Sequence, residues 1–356
     1  MNILQLNVEK GWRGGERQTL YCMEAFRDRG ATVELVARAG QPLAQRAQDE
    51  GFVVHPVRNV VDQLRFLTTQ ARRFDIVHAQ TANTVTWAVL SKWAHRRPIV
   101  FSRRTSFPVK AGDEWKTGFK WRRVDQVVAI SEMAATEPRR LGIEPIIIRS
   151  AVKEQPIDPV RNQALVQRLG LAGKRIIATS AALIADKDPE TLIRAIAALA
   201  RRRDDFVFVH FGAGGNREDQ ARALIAELGL QDVYLLAGFC SGVESYYALM
   251  DVFVMASCEE ALGSSVFDAF LQRVPVVSTD AGGLRESLAD GRGLLSAVGD
   301  ATTMAAHIER VLDDRTLADE LTARAFDYVH REHDVDVMGG RYLDCFSRLM
   351  HDAPAR

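Results

Sequence analysis

The stretch Val252-Phe253-Val254-Met255-Ala256-Ser257-Cys258-Glu259-Glu260-Ala261-Leu262-Gly263-Ser264-Ser265-Val266-Phe267-Asp268-Ala269-Phe270-Leu271-Gln272 decides the fold. An apolar run of strand length, Val252–Ala256, gives way to a polar loop. Helical spacing then runs from Ser264 to Gln272, and a second apolar run, Val274–Ser278, follows almost at once. Strand, loop, helix and strand in such quick succession form the unit of a parallel sheet whose faces are covered by helices.

The same alternation extends outward. Upstream it reads as strands at Arg175–Ser180, Phe206–Phe211 and Val233–Ala237. Helices are expected from Pro189 to Arg201, from Glu218 to Leu228 and near Ser245–Leu249. Before that lies a polar segment, Ser150–Gly170, with Pro156 and Pro159, which reads as a linker. The first half repeats the pattern. Ile3–Val8 leads into Gly11, Gly14 and Gly15, then a helical stretch closing near Gly30, then Val33–Ala37. Further strands are expected at Val53–Val57, Ile76–Ala79, Ile99–Ser102, Gln126–Ile130 and Pro145–Ile148. The reading is two Rossmann-like, doubly wound α/β domains, residues 1–155 and 156–337. A last helix within 338–356 is expected to pack back on the first. In such sheets ligands sit beyond the carboxyl ends of the strands, so a site in a cleft between the halves is expected.

The 356 residues suit two domains, and 47% apolar with 26% charged residues excludes disorder and low complexity. No apolar run is long enough to span a bilayer, and the first residues lack the pattern of a secretion signal. Cys22, Cys240, Cys258 and Cys345 have no metal-ligand spacing, and the histidines, among them His55, His95 and His210, show none either, so free thiols, a cytoplasmic setting and no metal site are expected. The zero net charge hides an asymmetry: residues 1–150 carry 24 Lys and Arg against 15 Asp and Glu, and the remainder 22 against 31. Between Lys92 and Arg123 stand ten basic residues, two acidic ones (Asp113 and Glu114) and the aromatics Trp93, Phe101, Phe107, Trp115, Phe119 and Trp121. A polyanion would suit this patch, whether nucleic acid, an acidic membrane face or a phosphorylated glycolipid; a plain solvated surface is the bland alternative.

The chemistry gathers at two places. Gly14-Gly15, between a strand and a helix, would let backbone amides approach a phosphate, although a tight turn without ligand needs the same residues. No GxGxxG fingerprint or Walker motif is present. With Glu260 in a loop and Ser264 opening a helix, the amides of Gly263, Ser264 and Ser265 would face a ligand unpaired. Glu260 and Asp268 would add carboxylates for hydroxyl groups.

Here the sequence resembles the family 4 glycosyltransferases, of the GT-B fold, of the kind that build bacterial surface polysaccharide and lipopolysaccharide. Their second domain carries a pattern close to S-x-x-E-G-F-G-x-x-x-x-E-A, matched by Ser257-x-x-Glu260-Ala261-Leu262-Gly263 and Asp268-Ala269. The likeness continues through Pro275–Ser278, Gly282–Glu286 and Asp290-Gly291-x-Gly293-Leu294-Leu295. Upstream it includes Phe211–Gly214, Gly238-Phe239 and Lys187 within Ala182–Asp188; in the first half, Gly14-Gly15 and Asp75–His78.

The resemblance implies a retaining, metal-independent transfer of sugar from a nucleotide-diphosphate donor, UDP or GDP, to a glycan or lipid-linked acceptor. It implies Glu260 on the donor sugar hydroxyls, Asp268 on the ribose, and Lys187 on the diphosphate, a site suited to a compact ammonium. The backbone of Leu262, Gly263 and Ser264 would hold sugar and phosphate, Gly14 and Gly15 would admit the phosphates, and Gly212 and Phe239 would lie near the base. Three departures stand out. Asp268 replaces a glutamate, Ala182 stands where the family often has an arginine, and Arg104 stands where many members have a histidine. Arg103 or Arg104 is expected to supply the missing charge or to bind an anionic acceptor. His78, ending a strand, is either a substrate contact or a structural histidine. The expected partners are the donor and an anionic glycolipid or glycan, with peripheral contact to the inner face of an anionic membrane through Lys92–Arg123 and no nucleic acid. Two other readings are a nucleotide-sugar 2-epimerase of the same fold and a non-catalytic two-lobed binding protein.

Overall fold

The computed structural model describes residues 1–351. Residues 352–356 of the expected closing segment lie outside the described residues. The chain divides into two compact units. The first comprises Met1–Ala151 and the chain from Glu332 onward; the second is Val152–Arg331. The boundaries thus fall at 151/152 and 331/332 rather than at 155/156 and 337/338.

The first unit contains β1 (Asn2–Asn7), α1 (Gly14–Asp28), β2 (Thr32–Arg38), α2 (Pro42–Asp49), β3 (Val53–Val57), α3 (Val60–Thr69), β4 (Ile76–Ala79), α4 (Ala82–Leu90), α5 (Lys92–His95), β5 (Ile99–Arg103), α6 (Glu114–Trp121), β6 (Gln126–Ala129), α7 (Glu132–Arg140) and β7 (Ile146–Ile147). The second contains α8 (Pro159–Leu169), β8 (Arg175–Ser180), α9 (Pro189–Ala200), β9 (Phe206–Phe211), α10 (Glu218–Glu227), β10 (Tyr234–Gly238), β11 (Val252–Met255), α11 (Ser264–Leu271), β12 (Val276–Thr279), α12 (Gly283–Leu288), β13 (Leu294–Ser296), α13 (Ala301–Asp313) and most of α14 (Arg315–Glu332). The last described helix, α15 (Val335–His351), belongs to the first unit.

Both sheets are parallel and doubly wound. Their strand orders are β3-β2-β1-β4-β5-β6-β7 and β10-β9-β8-β11-β12-β13. The order reverses beside β1 and β4 in one and beside β8 and β11 in the other, and ligands of such sheets gather at these switch points. Period-two alternation sorts the side chains to two buried faces. In β1, Ile3 joins the core under α1 and α15 with Phe26 and Phe346, while Leu4 and Leu6 join the opposite core with Phe74 and Trp121. In the second unit Ile177, Phe208 and Val254 meet Ile193, Ile196 and Ile308 in one core, while Phe253, Phe267 and Phe270 are buried apart from it.

Two expectations are corrected. The polar segment read as a linker contains α8, because Pro159 occupies the first helical turn and the Asp158 side chain accepts from Arg161 N (3.0 Å) at the cap. The helix expected near Ser245–Leu249 is a 3-10 segment, Val243–Leu249. Strand β13 and helices α12, α13 and α14 were not read from the sequence.

Candidate active site

In the second unit, β11 ends at the switch point and its successor residues fold back on the loop after β8. The Cys258 amide donates to Asp186 O (2.9 Å), which joins the two loops. Lys187 closes a 3-10 turn, Ala185–Lys187, and is followed by Asp188, whose positive φ and side-chain bond to Thr191 N (3.1 Å) start α9. The turn is therefore held at both ends. Across from it, Glu260 is fixed through its carbonyl, which accepts from Gly283 N (2.8 Å), and through its carboxylate, which accepts from Ser257 Oγ (3.2 Å).

The Lys187 ammonium and the Glu260 carboxylate form a direct ion pair, both side chains largely buried. Sequence reasoning gave these groups separate ligand contacts; the structure joins them. Taken from water, each charge would be costly alone, and the pairing offsets part of that cost.

Helix α11 starts at Ser264, with Gly263 as its cap at φ +78° and so no capping side chain. A Cβ on Gly263 would strike Leu284, and one on Gly283 would strike the Ala261 carbonyl, so glycine at both positions lets this strip of backbone lie close to α12. The Leu262 carbonyl is held by Ser287 Oγ (2.8 Å). The helix start, with its positive dipole end, follows the strip that carries Glu260. Asp268 lies one turn further along α11 and is buried.

The expected base-side residues also adjoin one another. Gly212 N donates to Gly238 O (2.8 Å), which brings the ends of β9 and β10 together beside the exposed Phe239. Gly212 has φ +142°, and a Cβ there would collide with the Ala181 carbonyl. Ala182, where the family arginine is absent, lies in the same loop.

In the first unit, α1 begins at Gly14, and Gly15 has open space around its Cα. A feature missed in the sequence is Glu16, whose buried carboxylate accepts from Arg13 N (2.9 Å) across this helix start. Burial raises its pKa. The first turn of α1 thus already carries a carboxylate of its own.

Arg103 and Arg104 separate cleanly. Arg103 is buried, donates to the Ala134 carbonyl (3.2 Å) and the Phe107 carbonyl (2.5 Å), and lies over Trp121, so its charge is spent internally. Arg104 is half-buried: it donates twice to Gln80 Oε1 (3.0 and 2.6 Å) and once to Ser150 Oγ (3.2 Å), with no acidic partner in these bonds.

Because a guanidinium only donates, it dictates the direction of everything behind it. Gln80 Nε2 must donate to Gln5 Oε1 (2.8 Å), and Gln5 Nε2 to His78 Nδ1 (3.0 Å). His78 therefore carries its proton on Nε2, which donates to Ser102 Oγ (2.7 Å), and Ser102 turns its hydroxyl to Tyr342 Oη (2.7 Å) on α15. Burial, and secondarily Arg104, hold the His78 pKa well below its ordinary value, in keeping with a neutral ring. The alternation of β1, β4 and β5 puts Gln5, His78 and Ser102 on the face covered by α1 and α15. The substrate contact expected for His78 is corrected: the ring is wholly buried among Phe26, Tyr342 and Phe346.

The basic segment is less open than its composition suggests. Lys92 pairs with Asp125 (2.6 Å), Arg97 with the Arg72 carbonyl (3.0 Å), Lys120 with the Ala82 carbonyl (3.1 Å) and Arg122 with the Leu141 carbonyl (2.7 Å). Aromatic side chains stand out into solvent, Trp93 75% and Trp115 68% exposed, beside the exposed Arg96, Lys110, Lys116, Arg122 and Arg123. Among the described residues no helix is long and apolar enough to cross a membrane, and no group of three His, Cys, Asp or Glu is placed to hold a metal.

Comparison with known proteins bears on the family and the fold. Residues 12–159 match the model of Glycosyltransferase Family 4, and residues 162–328 that of Glycosyl transferases group 1. The chain is 31% identical over 238 residues to the 2-deoxystreptamine glucosyltransferase of Streptomyces kanamyceticus, a match covering 63% of this chain and only 60% of that relative's length. It is 22% identical to the lipopolysaccharide core biosynthesis glycosyltransferase LpsD of Rhizobium meliloti over 96% of this chain and 98% of the relative. Among solved structures, Anabaena HepE in complex with UDP superposes with a TM-score of 0.86 at 19% identity, over 98% of this chain and all of HepE. At that identity the likeness establishes the fold, GT-B.

Proposed function

The chain belongs to the family 4 glycosyltransferases, and on that premise we propose that it transfers a sugar, with retained configuration, from a nucleotide-diphosphate donor to a glycan or lipid-linked acceptor of the cell envelope. The observation that carries this reading is the Lys187–Glu260 pair beside the start of α11. A diphosphate is the one donor group that would engage both Lys187 and the helix amides. When it takes the ammonium, the Glu260 carboxylate is released to accept from the sugar hydroxyls. The pair thus keeps the site neutral when empty and divides its two charges between the two halves of the donor.

The reaction breaks the bond between the anomeric carbon and the β-phosphate oxygen. Negative charge grows on that oxygen, where Lys187 and the amides of Leu262, Gly263 and Ser264 stabilise it. One such preorganised donor is worth roughly 3–4 kcal/mol of barrier. The acceptor hydroxyl bonds to the anomeric carbon on the same face, and its proton passes to the departing phosphate. We assign Asp268 to the ribose, Gly212 and Phe239 to the base, Gly14 and Gly15 to the approach of the phosphates, and Arg104 to an anion. With these groups holding the charge, the transfer proceeds without a metal ion. The donor is UDP- or GDP-linked; HepE, of the same fold, is known with UDP. The exposed aromatic and basic surface of α4–α6 supports peripheral contact with an anionic membrane.

The test is a thermal-shift screen of UDP, GDP and ADP with their sugars, paired with nucleotide release and an EDTA control. A ligand bound only by the native state raises the melting temperature. Glu260→Ala is expected to lose the sugar-dependent part of the shift and to keep the nucleotide part. Lys187→Ala is expected to weaken both the nucleotide and the nucleotide-sugar shift. No shift with any nucleotide sugar, or an unchanged one in both variants, refutes the reading.

A further inference from the structure

The first unit contains a second constellation, away from the Arg104 chain. A cavity of about 220 Å³ opens beyond the carboxyl ends of β1, β2 and β3, walled on the far side by α3. Its polar lining comes from Arg38, Arg58, Asn59, Gln63 and Asn83, and its apolar lining is Val8, Val57 and Val60.

The two arginines and the two asparagines have donors left to offer. Asn59 Oδ1 is taken by Asp62 N (3.0 Å) at the start of α3, and Asn83 Oδ1 by Trp87 Nε1 (3.0 Å), so each presents its NH2 group. Gln63 is 2% exposed, and its amide nitrogen has no hydrogen-bond partner. A buried donor left unpaired is costly, and an acceptor group brought by a ligand would relieve it. Arg38 and Arg58 engage no carboxylate among the described residues, whereas Arg29, Arg73, Arg139 and Arg140 of the same unit all do. The nearby acid, Asp62, turns its carboxylate back on the Arg58 amide (3.0 Å).

We propose that this cavity binds an anionic saccharide, a sugar carrying a phosphate or carboxylate, as part of the acceptor. Arg38 and Arg58 would hold the acid, which a planar, always charged fork suits. Gln63 and the two asparagine NH2 groups would donate to ring and hydroxyl oxygens, and the valines would pack on the apolar face of the ring. The proposal rests on the transferase reading for its purpose, but its binding test does not.

Binding of glucose 6-phosphate, glucuronate, glucose and inorganic phosphate to the full chain is measured by calorimetry, with the UDP thermal shift recorded alongside. The acidic sugars are expected to bind at least tenfold more tightly than glucose, and less tightly as salt rises. Arg38→Ala/Arg58→Ala should lose that tenfold preference. Gln63→Met, close to isosteric, should weaken the sugar phosphate severalfold and leave inorganic phosphate unchanged. The UDP shift should persist in every variant, which shows that the chain still folds. If only glucose 6-phosphate or only glucuronate binds, the acid is identified. If neither binds better than glucose, or if the double variant binds them like the wild type, the proposal is overturned. A chain that binds the acidic sugars but no nucleotide would keep this site and lose the transferase reading.

Discussion

Two buried histidines show how neighbours decide what a residue can do. His78 accepts from Gln5 at Nδ1 because Arg104, two side chains away, can only donate. His210 is the mirror case. Its Nε2 faces the Ala181 carbonyl (3.0 Å), which can only accept, so that nitrogen carries the proton and Nδ1 accepts from Tyr234 Oη (2.9 Å). Burial lowers the His210 pKa to about 4. The unfolded chain protonates this ring as pH falls through about 6.5, whereas the folded chain resists until about 4. The unfolded state therefore binds more protons across that window, and stability is complete above it and lost with acid. From pH 7.5 to 5, His210 alone should remove about 2 kcal/mol. Urea midpoints at the two pH values check this: His210→Gln should be less stable at pH 7.5 yet show a shallower acid loss. An equal loss in variant and wild type would put the proton elsewhere. His78, held low for the same reason, acts in the same direction.

At the level of elements, the decisive piece is the strip Ala261–Leu262 between Glu260 and α11. It lies on Gly283 so closely that a Cβ would meet the Ala261 carbonyl and the Leu262 amide. Gly283→Ala should push the strip away, destabilising the chain by at least about 1 kcal/mol, or some 2–4 °C in melting temperature. It should also reduce the nucleotide-sugar shift by half or more. Melting with and without UDP-glucose separates the two effects, and a variant that melts lower but keeps the full shift would show the strip to be unimportant for the donor. Much of this geometry was legible in the sequence. β8 and β9 fall on the residues their apolar runs marked, because a strand buried on both faces leaves an unbroken apolar signature. The start of α11 at Ser264 was legible because Gly263 interrupts the pattern. Helix α8 was hidden because Pro156 and Pro159 read as breakers, although proline in a first turn starts a helix as readily as it ends one. The Lys187–Glu260 pair was hidden for a different reason: its members are 73 residues apart, and only the adjacency of β8 and β11 brings them together. Gln5 and Gln80 gave no signal, since a glutamine becomes informative only when its partners are known.

At the scale of the whole molecule, the charge asymmetry persists when the chain from Glu332 onward is counted with the first unit. That unit then holds 27 Lys and Arg against 20 Asp and Glu, and the second 19 against 26. Yet part of the densest basic segment works as internal glue, while Arg96, Lys110, Lys116, Arg122 and Arg123 stay exposed. Lys92 ties α5 to the Arg123 carbonyl (3.2 Å) and Lys120 ties α6 to α4, and these bonds leave Leu90, Trp93, Trp115 and Phe119 turned outward. Arg123 stacks on Phe119, and Lys116 lies near the Trp115 ring. Membrane contact through such a surface would have two components that respond differently to conditions. Salt screens the charges, while ring insertion persists at high ionic strength. Flotation with vesicles containing anionic phosphatidylglycerol is therefore expected to weaken from 50 to 500 mM salt without vanishing, and to be stronger than with neutral phosphatidylcholine at low salt. Trp93→Ala/Trp115→Ala should lower binding roughly tenfold or more at both salt concentrations, because each ring withdraws an area worth about 1–2 kcal/mol on burial. The variant should leave the UDP shift intact, since neither ring is among the residues assigned to the donor. Equal, salt-insensitive binding to both kinds of vesicle, or a double variant that floats like the wild type, would reduce these tryptophans to ordinary surface residues.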